Sequence, residues 1–211
     1  MLSGMRKNYN KDALDESDLN PDPMEQFKLW FDEAVAADFY EPNAMTLATA
    51  TPNGIPSARV VLLKGIVPEG FRFFTNHLSR KGNELAKNPH AALLFYWDKL
   101  ERQIRIEGKI ERTTREVSSE YFHSRPRGAQ LAATVSRQSQ ITTSRIEMEQ
   151  ELNQKIYQSN NEEIPLPDHW GGYTLAPSRF EFWQGRENRF HDRLVYTKIE
   201  TGMWTISRLW P

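Results

Sequence analysis

The eleven residues "WQGRENRFHDR" (183–193) hold three arginines, one histidine and one tryptophan. Guanidinium groups bind phosphate or carboxylate through paired N–H donors, and an indole face can stack on a ring. If a strand begins at residue 188, Arg189, His191 and Arg193 share one face, while Phe190 and Asp192 take the other. That face must meet solvent or an anion. An edge strand guarded by charge and a ligand site both satisfy this.

Three further clusters carry similar residue types. In "SARVVLLKG" (57–65), Arg59 and Lys64 bracket four apolar residues. This fits a buried strand with charged ends, or a strand whose cations face a ligand. In "TNHLSRKGNEL" (75–85), Ser79 suits a helix N-cap, yet Arg80 and Lys81 fill the first turn. The positive end of a helix disfavours cations, whereas a bound phosphate would gather both of them and the free N–H groups. Extension of both side chains into water is the competing reading. In "YFHSRPRGAQLAATVSRQS" (121–139), Pro126 interrupts a helix beside Arg125, with Arg127 and Arg137 nearby. This is either a phosphate-binding break or a solvated basic helix end. Together the four clusters point to a phosphorylated, ring-containing ligand, with room for more than one phosphate.

The whole chain narrows the options. Among 211 residues, 27 are Lys or Arg and 28 are Asp or Glu, so no global basic field exists and no nucleic-acid partner is expected. The absence of cysteine excludes disulfides, zinc thiolates, iron–sulfur clusters and cysteine nucleophiles, and fits a cytoplasmic location. The histidines at 77, 90, 123, 169 and 191 lack metal-ligand spacing, so no metal is expected. Dinucleotide, P-loop, zinc-protease and nucleophile-elbow motifs are missing. No apolar run approaches the ~18 residues of a membrane span, and the start lacks the apolar region of a signal peptide.

The elements that must position the clusters follow from periodicity. Residues 22–39 predict a helix with Asp22 as N-cap, Pro23 at N1 and Glu25 in a capping-box-like position. Phe27, Trp30, Phe31, Ala34 and Val35 form its apolar stripe. Strands are expected at 44–50, 55–66, 71–76, 90–97 and 102–112, with a short helix at 79–89. Helices at 114–127 and 144–158 precede a loop and three C-terminal strands. The expectation is a flexible segment over 1–20 and one domain over 21–211, mainly β with flanking helices (α+β), built on an antiparallel barrel or sandwich.

Several of these stretches resemble the pyridoxamine 5′-phosphate oxidase family of the FMN-binding split-barrel superfamily. The matching pieces are "RVVLLK", "FFTN…SRKG", "LERQIRIEGKIER", "YFHSRPR", "SRQS", "PLPDHWGGY", "FEFWQGRENRFHDR" and a terminal "RL-P". They run in the family's order over nearly the whole chain. The resemblance implies an antiparallel split β-barrel of Greek-key type and a homodimer with FMN at the subunit interface. It implies oxidation of pyridoxamine 5′-phosphate or pyridoxine 5′-phosphate to pyridoxal 5′-phosphate, with hydride transfer from C4′ to flavin N5 and reoxidation by O2 to H2O2. It assigns FMN contacts to Arg59, Val60, Val61, Leu62, Leu63, Lys64, Phe74, Thr75, Arg80, Lys81, Gln103, Gln138, Ser139, Trp183 and Arg193. Lys64, Tyr121 and Arg125 match substrate positions, the last two at its phosphate. Arg189 and His191 match residues over the pyridine ring and are the catalytic candidates. Arg6 and Tyr9 match a segment that can close over the site.

Some positions depart from the pattern. Ala129 stands at a usual serine that binds substrate phosphate, a loss on the order of 1 kcal/mol. Phe74 replaces a common tyrosine, Phe190 a common leucine, and Trp210 a small residue. Two other readings stay open: a flavoprotein of this fold with a different substrate, and a non-enzymatic flavin or pyridoxal-phosphate carrier. Asp192 receives no role.

Overall fold

The computed structural model describes the chain from Leu2 to Pro211, apart from Arg6 and Asn161. Helix α1 (Pro23–Ala36) opens as the sequence predicts: the Asp22 side chain accepts the Met24 N–H at 2.9 Å, and Pro23 sits in the first turn. Glu25 pairs instead with Lys28, three residues on, at 2.6 Å. Phe27, Trp30 and Ala34 are buried, but Val35 is 52% exposed. One residue beyond Ala34 is a 100° turn of the helix, which carries Val35 off the contact face.

Among the described residues the sheet contains nine antiparallel strands. They are β1 (Ala44–Ala50), β2 (Pro56–Leu62), β3 (Gly65–Val67), β4 (Gly70–Asn76), β5 (His90–Trp97), β6 (Arg102–Arg112), β7 (Trp170–Gln184), β8 (Asp192–Lys198) and β9 (Trp204–Arg208). The order is β2-β1-β5-β6-β7-β4-β3, with β8 on β7 and β9 on β8. The branch arises on β7. Its residues 170–175 pair with β4, its residues 179–184 pair with β8, and its other edge pairs with β6. A register shift at Glu107/Gly108 bends the β6–β7 pair there. A Cβ on Gly108 would lie 2.1 Å from the Ala176 carbonyl oxygen, so only glycine fits this bend. The curled sheet agrees with the antiparallel barrel class expected.

The expected single strand over 55–66 is two strands. Beyond β2 the chain changes partners: the Leu63 N–H donates to Asn43 O, and the Lys64 N–H donates to Arg72 O, both at 2.8 Å. β2 is left as an edge strand. Helices α2 (Arg80–Lys87), α3 (Arg115–Ser124), α4 (Arg127–Val135) and α5 (Arg145–Gln158) flank the sheet. The helix expected at 114–127 ends at Ser124, because Arg125 precedes proline and takes extended angles. The strand expected from 188 starts only at Asp192. Asn188 and Arg189 have φ of 55° and 62°, which no strand residue adopts, so Arg189 does not alternate with His191 and Arg193 on one face.

The main core lies between α1 and the sheet. The Phe27 ring meets Phe71 and Phe95 at 4.7 and 5.1 Å, and Trp30 stands edge-on to Phe182 at 5.1 Å. A second cluster, with Phe122, Leu131, Ile164 and Trp170, anchors α3 and α4. Residues 1–20, read from the sequence as a flexible segment, include a docked stretch. Leu14 and Leu19 are buried in the main core. The Asn10 and Lys11 N–H groups donate to Glu101 Oε2 at 3.0 and 3.2 Å. Among the described residues no helix is long and apolar enough to cross a membrane.

Candidate active site

A cavity of about 930 Å³ opens beside β2, bounded by β4, the start of α2, and α3 and α4. Thirteen sequence-nominated residues line it: Arg59, Val60, Val61, Leu62, Lys64, Phe74, Thr75, Arg80, Lys81, Tyr121, Arg125, Gln138 and Ser139. Strand alternation along β2 turns Arg59 and Val61 inward and leaves Val60 exposed. Leu63 is buried in the core and does not line the cavity.

The start of α2 gathers a capping serine and a buried lysine. Ser79 caps the helix by accepting the Gly82 N–H. Lys81 is 8% exposed. Among the described residues its Nζ donates to Thr75 Oγ1 at 3.2 Å, Ser79 Oγ at 3.4 Å and Gln138 Oε1 at 3.1 Å, all uncharged. Burial lowers its pKa, and the Arg59 guanidinium lowers it further. A buried ammonium with only neutral partners at the positive end of a helix calls for a negative ligand.

Arg80 behaves differently. It turns back along the helix and donates to Glu84 Oε1 at 2.9 Å. Glu84 also receives Ser57 Oγ at 2.6 Å and lies 3.4 Å from Arg59 Nη2. Burial opposes ionisation of Glu84, but the hydrogen bonds from Ser57, Thr49 and Arg80 prevail and hold its carboxyl at about 2. Glu84 thus fixes two of the nominated arginines. The sequence reading missed it, although its spacing of four from Arg80 on a helix was a usable signal.

The opposite wall is aromatic. Phe74 and Tyr121 stack at 4.0 Å, and Trp170 lies parallel to Phe74 at 5.7 Å. Phe74 has room because its cross-strand partner is Gly172, where a Cβ would come within 2.8 Å of the Phe74 ring. The Arg125 guanidinium sits 4.8 Å from the Trp170 ring centroid, and among the described residues its buried Nη1 has no hydrogen-bond partner. Burial lowers its pKa. Arg127 and Arg137, from the same basic stretch, bind Ser159 and Glu151 instead and do not line this cavity. Ala129 does line it.

The remaining candidates gather elsewhere. Gln103, Trp183 and Arg193 come from distant parts of the chain but are direct cross-strand neighbours on β6, β7 and β8. Arg193 is held by Glu181, with Nε at 2.9 Å from Oε1, and donates to Trp210 O at 2.8 Å. His191 lies 4.7 Å from Trp183, and Tyr9 is 5.7 Å from both. Arg189, His191 and Tyr9 line a second cavity of about 650 Å³, which shares no residue with the first. The Arg186 N–H donates to His191 Nδ1 at 3.0 Å, which leaves the proton of the neutral ring on Nε2. Burial lowers the His191 pKa, Arg189 adds to this, and Asp192 opposes it. Arg6 lies outside the described residues.

This arrangement suits FMN. The cavity beside β2 offers an aromatic wall, a buried cation at a helix start and an orphaned guanidinium nitrogen. These features fit a phosphate-bearing ring system.

Known proteins agree with this chemistry. Residues 31–158 match the family described as pyridoxamine 5′-phosphate oxidase. Residues 170–211 match the pyridoxine 5′-phosphate oxidase C-terminal dimerisation region, which supports a homodimer. The pyridoxine/pyridoxamine 5′-phosphate oxidase of Salinibacter ruber is 53% identical, with 100% of this chain and 99% of that protein covered. The protein of the same name from Trichormus variabilis is 51% identical, with 100% and 98% covered. The solved structure of PhzG from Burkholderia lata, in complex with tetrahydrophenazine-1-carboxylic acid, is similar with a TM-score of 0.88 at 30% identity, covering 95% of this chain and 98% of that one. An FMN-binding protein from Nostoc punctiforme shares the fold with a TM-score of 0.73, at 16% identity and with 92% and 100% covered. This chain belongs to the pyridoxamine 5′-phosphate oxidase family of oxidoreductases.

Proposed function

We propose that the protein is an FMN-dependent oxidase that converts pyridoxamine 5′-phosphate or pyridoxine 5′-phosphate to pyridoxal 5′-phosphate, with O2 as the final acceptor and H2O2 as product. The observation that carries this reading is a pair of cations on one aromatic-walled cavity, Lys81 and Arg125, neither with a carboxylate partner among the described residues. Bound FMN supplies the two-electron acceptor that no side chain here provides. Lys81, the capped start of α2 and Gln138 hold its phosphate. The inward residues of β2, with Phe74 and Thr75, line its ring system. Tyr121 and Arg125 take the substrate phosphate, with Lys64 at the rim.

Across a homodimer, Arg189 and His191 of one subunit close the cavity of the other, and Gln103, Trp183 and Arg193 complete the cofactor's surroundings. His191 offers its Nε2–H to the substrate, and Arg189 holds the pyridine ring by charge. Tyr9 shields the reacting carbon from water. The flavin performs the redox step, so these residues need only orient and exclude.

The test combines purification with turnover. The expected result is a yellow protein that releases peroxide when pyridoxine 5′-phosphate is added in air. A colourless protein that takes up no FMN overturns the cofactor assignment. A yellow protein without peroxide overturns the substrate assignment. In that case a ring-bearing carboxylic acid is the next substrate class, since Ala129 offers a phosphate no hydroxyl and the PhzG structure holds tetrahydrophenazine-1-carboxylic acid.

A further inference from the structure

Asp192 lies between His191 and Arg193 and takes no part in the function proposed above. Its carboxylate joins three segments. Oδ2 accepts the Leu14 N–H at 3.1 Å and Arg186 Nη1 at 3.2 Å, and Oδ1 accepts Arg208 Nη1 at 2.7 Å. Leu14 belongs to the N-terminal segment, Arg186 to the loop that carries Arg189 and His191, and Arg208 to β9. Arg208 closes the ring by donating through Nη2 to Leu14 O at 3.1 Å and Glu16 Oε2 at 2.7 Å. The Asp192 side chain is 16% exposed. Its bonds are therefore partly shielded, and charge-assisted bonds gain strength as water is removed.

The segments joined in this way meet again at the site. The Tyr9 ring packs on His191, and the Arg186 N–H sets the His191 tautomer. Tyr9, Arg189 and His191 all line the second cavity. A side chain that fixes the segments carrying these residues sets the shape of that cavity.

We infer that Asp192 is a positioning residue that clamps the N-terminal segment, the 185–191 loop and β9 together, and so holds Tyr9 and His191 against each other on the wall of the substrate pocket. The inference rests on the reading of Arg189 and His191 as substrate contacts. Asparagine cannot replace the carboxylate here, because its amide end is a donor and would face the Leu14 and Arg186 donors or Arg208.

The test uses the flavin-loaded protein and two variants, Asp192→Asn and Arg208→Gln; the second opens the ring from its other side if the first misfolds. Hydrogen exchange at the Leu14 amide needs no substrate. It is expected to quicken by ~10-fold or more, as befits loss of a hydrogen bond to a charged acceptor, while β6 amides keep their rate. With pyridoxine 5′-phosphate, KM is expected to rise on the order of tenfold while kcat changes less than ~3-fold and flavin content holds, the pattern of lost ground-state positioning. Unchanged Leu14 exchange overturns the clamp. Faster exchange with an unchanged KM overturns the positioning role. A KM that rises only in step with lost flavin and a lower melting temperature also overturns it, since that marks general structural damage. If the wild-type protein fails to oxidise the substrate, the functional reading falls, and Leu14 exchange still decides the clamp.

Discussion

Lys81 and Arg80 are adjacent in sequence and opposite in circumstance. The pattern of two cations in a first helical turn was legible as an anomaly, but not which of them is buried among neutral partners. The structure separates them by burial: Arg80 finds Glu84, while Lys81 is enclosed among uncharged oxygens. An uncompensated buried ammonium is costly without an anion. Lys81→Met is therefore expected to leave the flavin-free protein at least as stable as wild type, while weakening FMN binding by ~10-fold or more, in line with a charged hydrogen bond. Thermal melting of the apoprotein and a flavin fluorescence titration check both halves. A marked loss of apoprotein stability would show that Lys81 supports the fold instead. Glu84, Glu181 and Asp192 escaped the sequence reading for a shared reason. A carboxylate that fixes an arginine matters through its partner, and for Glu181 and Asp192 most of the partners lie on other elements.

Helix α1 and most strands were legible because one face of each packs on the core, and burial imposes its period on the sequence. The errors fall where an element changes partner. Residues 55–66 read as one strand because both halves are apolar, yet the chain leaves β1 for β4 at Leu63–Lys64. Residues 188–191 read as strand because they alternate, yet Asn188 and Arg189 are left-handed. On β7, the glycine pair 171–172 lets β4 bring Phe74 and Thr75 to the cavity. A Cβ on Gly172 would meet Thr113 Oγ1 at 2.6 Å and the Phe74 ring at 2.8 Å. Gly172→Ala is thus expected to cost about 1–3 kcal/mol as an overpacking change and to lower flavin retention by displacing Phe74. Urea denaturation and the flavin content of the purified variant provide the check; a variant as stable and as yellow as wild type would show that the strand yields without strain.

One chain presents two separate groups of candidate residues, one around β2 and the start of α2, the other on β7, β8 and the preceding loop. Trp183, Arg189, His191 and Arg193 of the second group fall inside the matched dimerisation region. If a homodimer completes the site, dilution that dissociates the protein is expected to release FMN over the same concentration range. Sedimentation and flavin fluorescence on one dilution series check this, and flavin retained by monomers would place the whole cofactor site within one chain. The sequence by itself determined the family and the antiparallel class, because burial periodicity and long motif strings are local and survive in one dimension. Only the folded chain showed Gln103, Trp183 and Arg193 in one row, Lys81 buried and Asp192 joining three segments. Those facts depend on strand register and on which charges lose water, and both are settled between residues far apart in the chain.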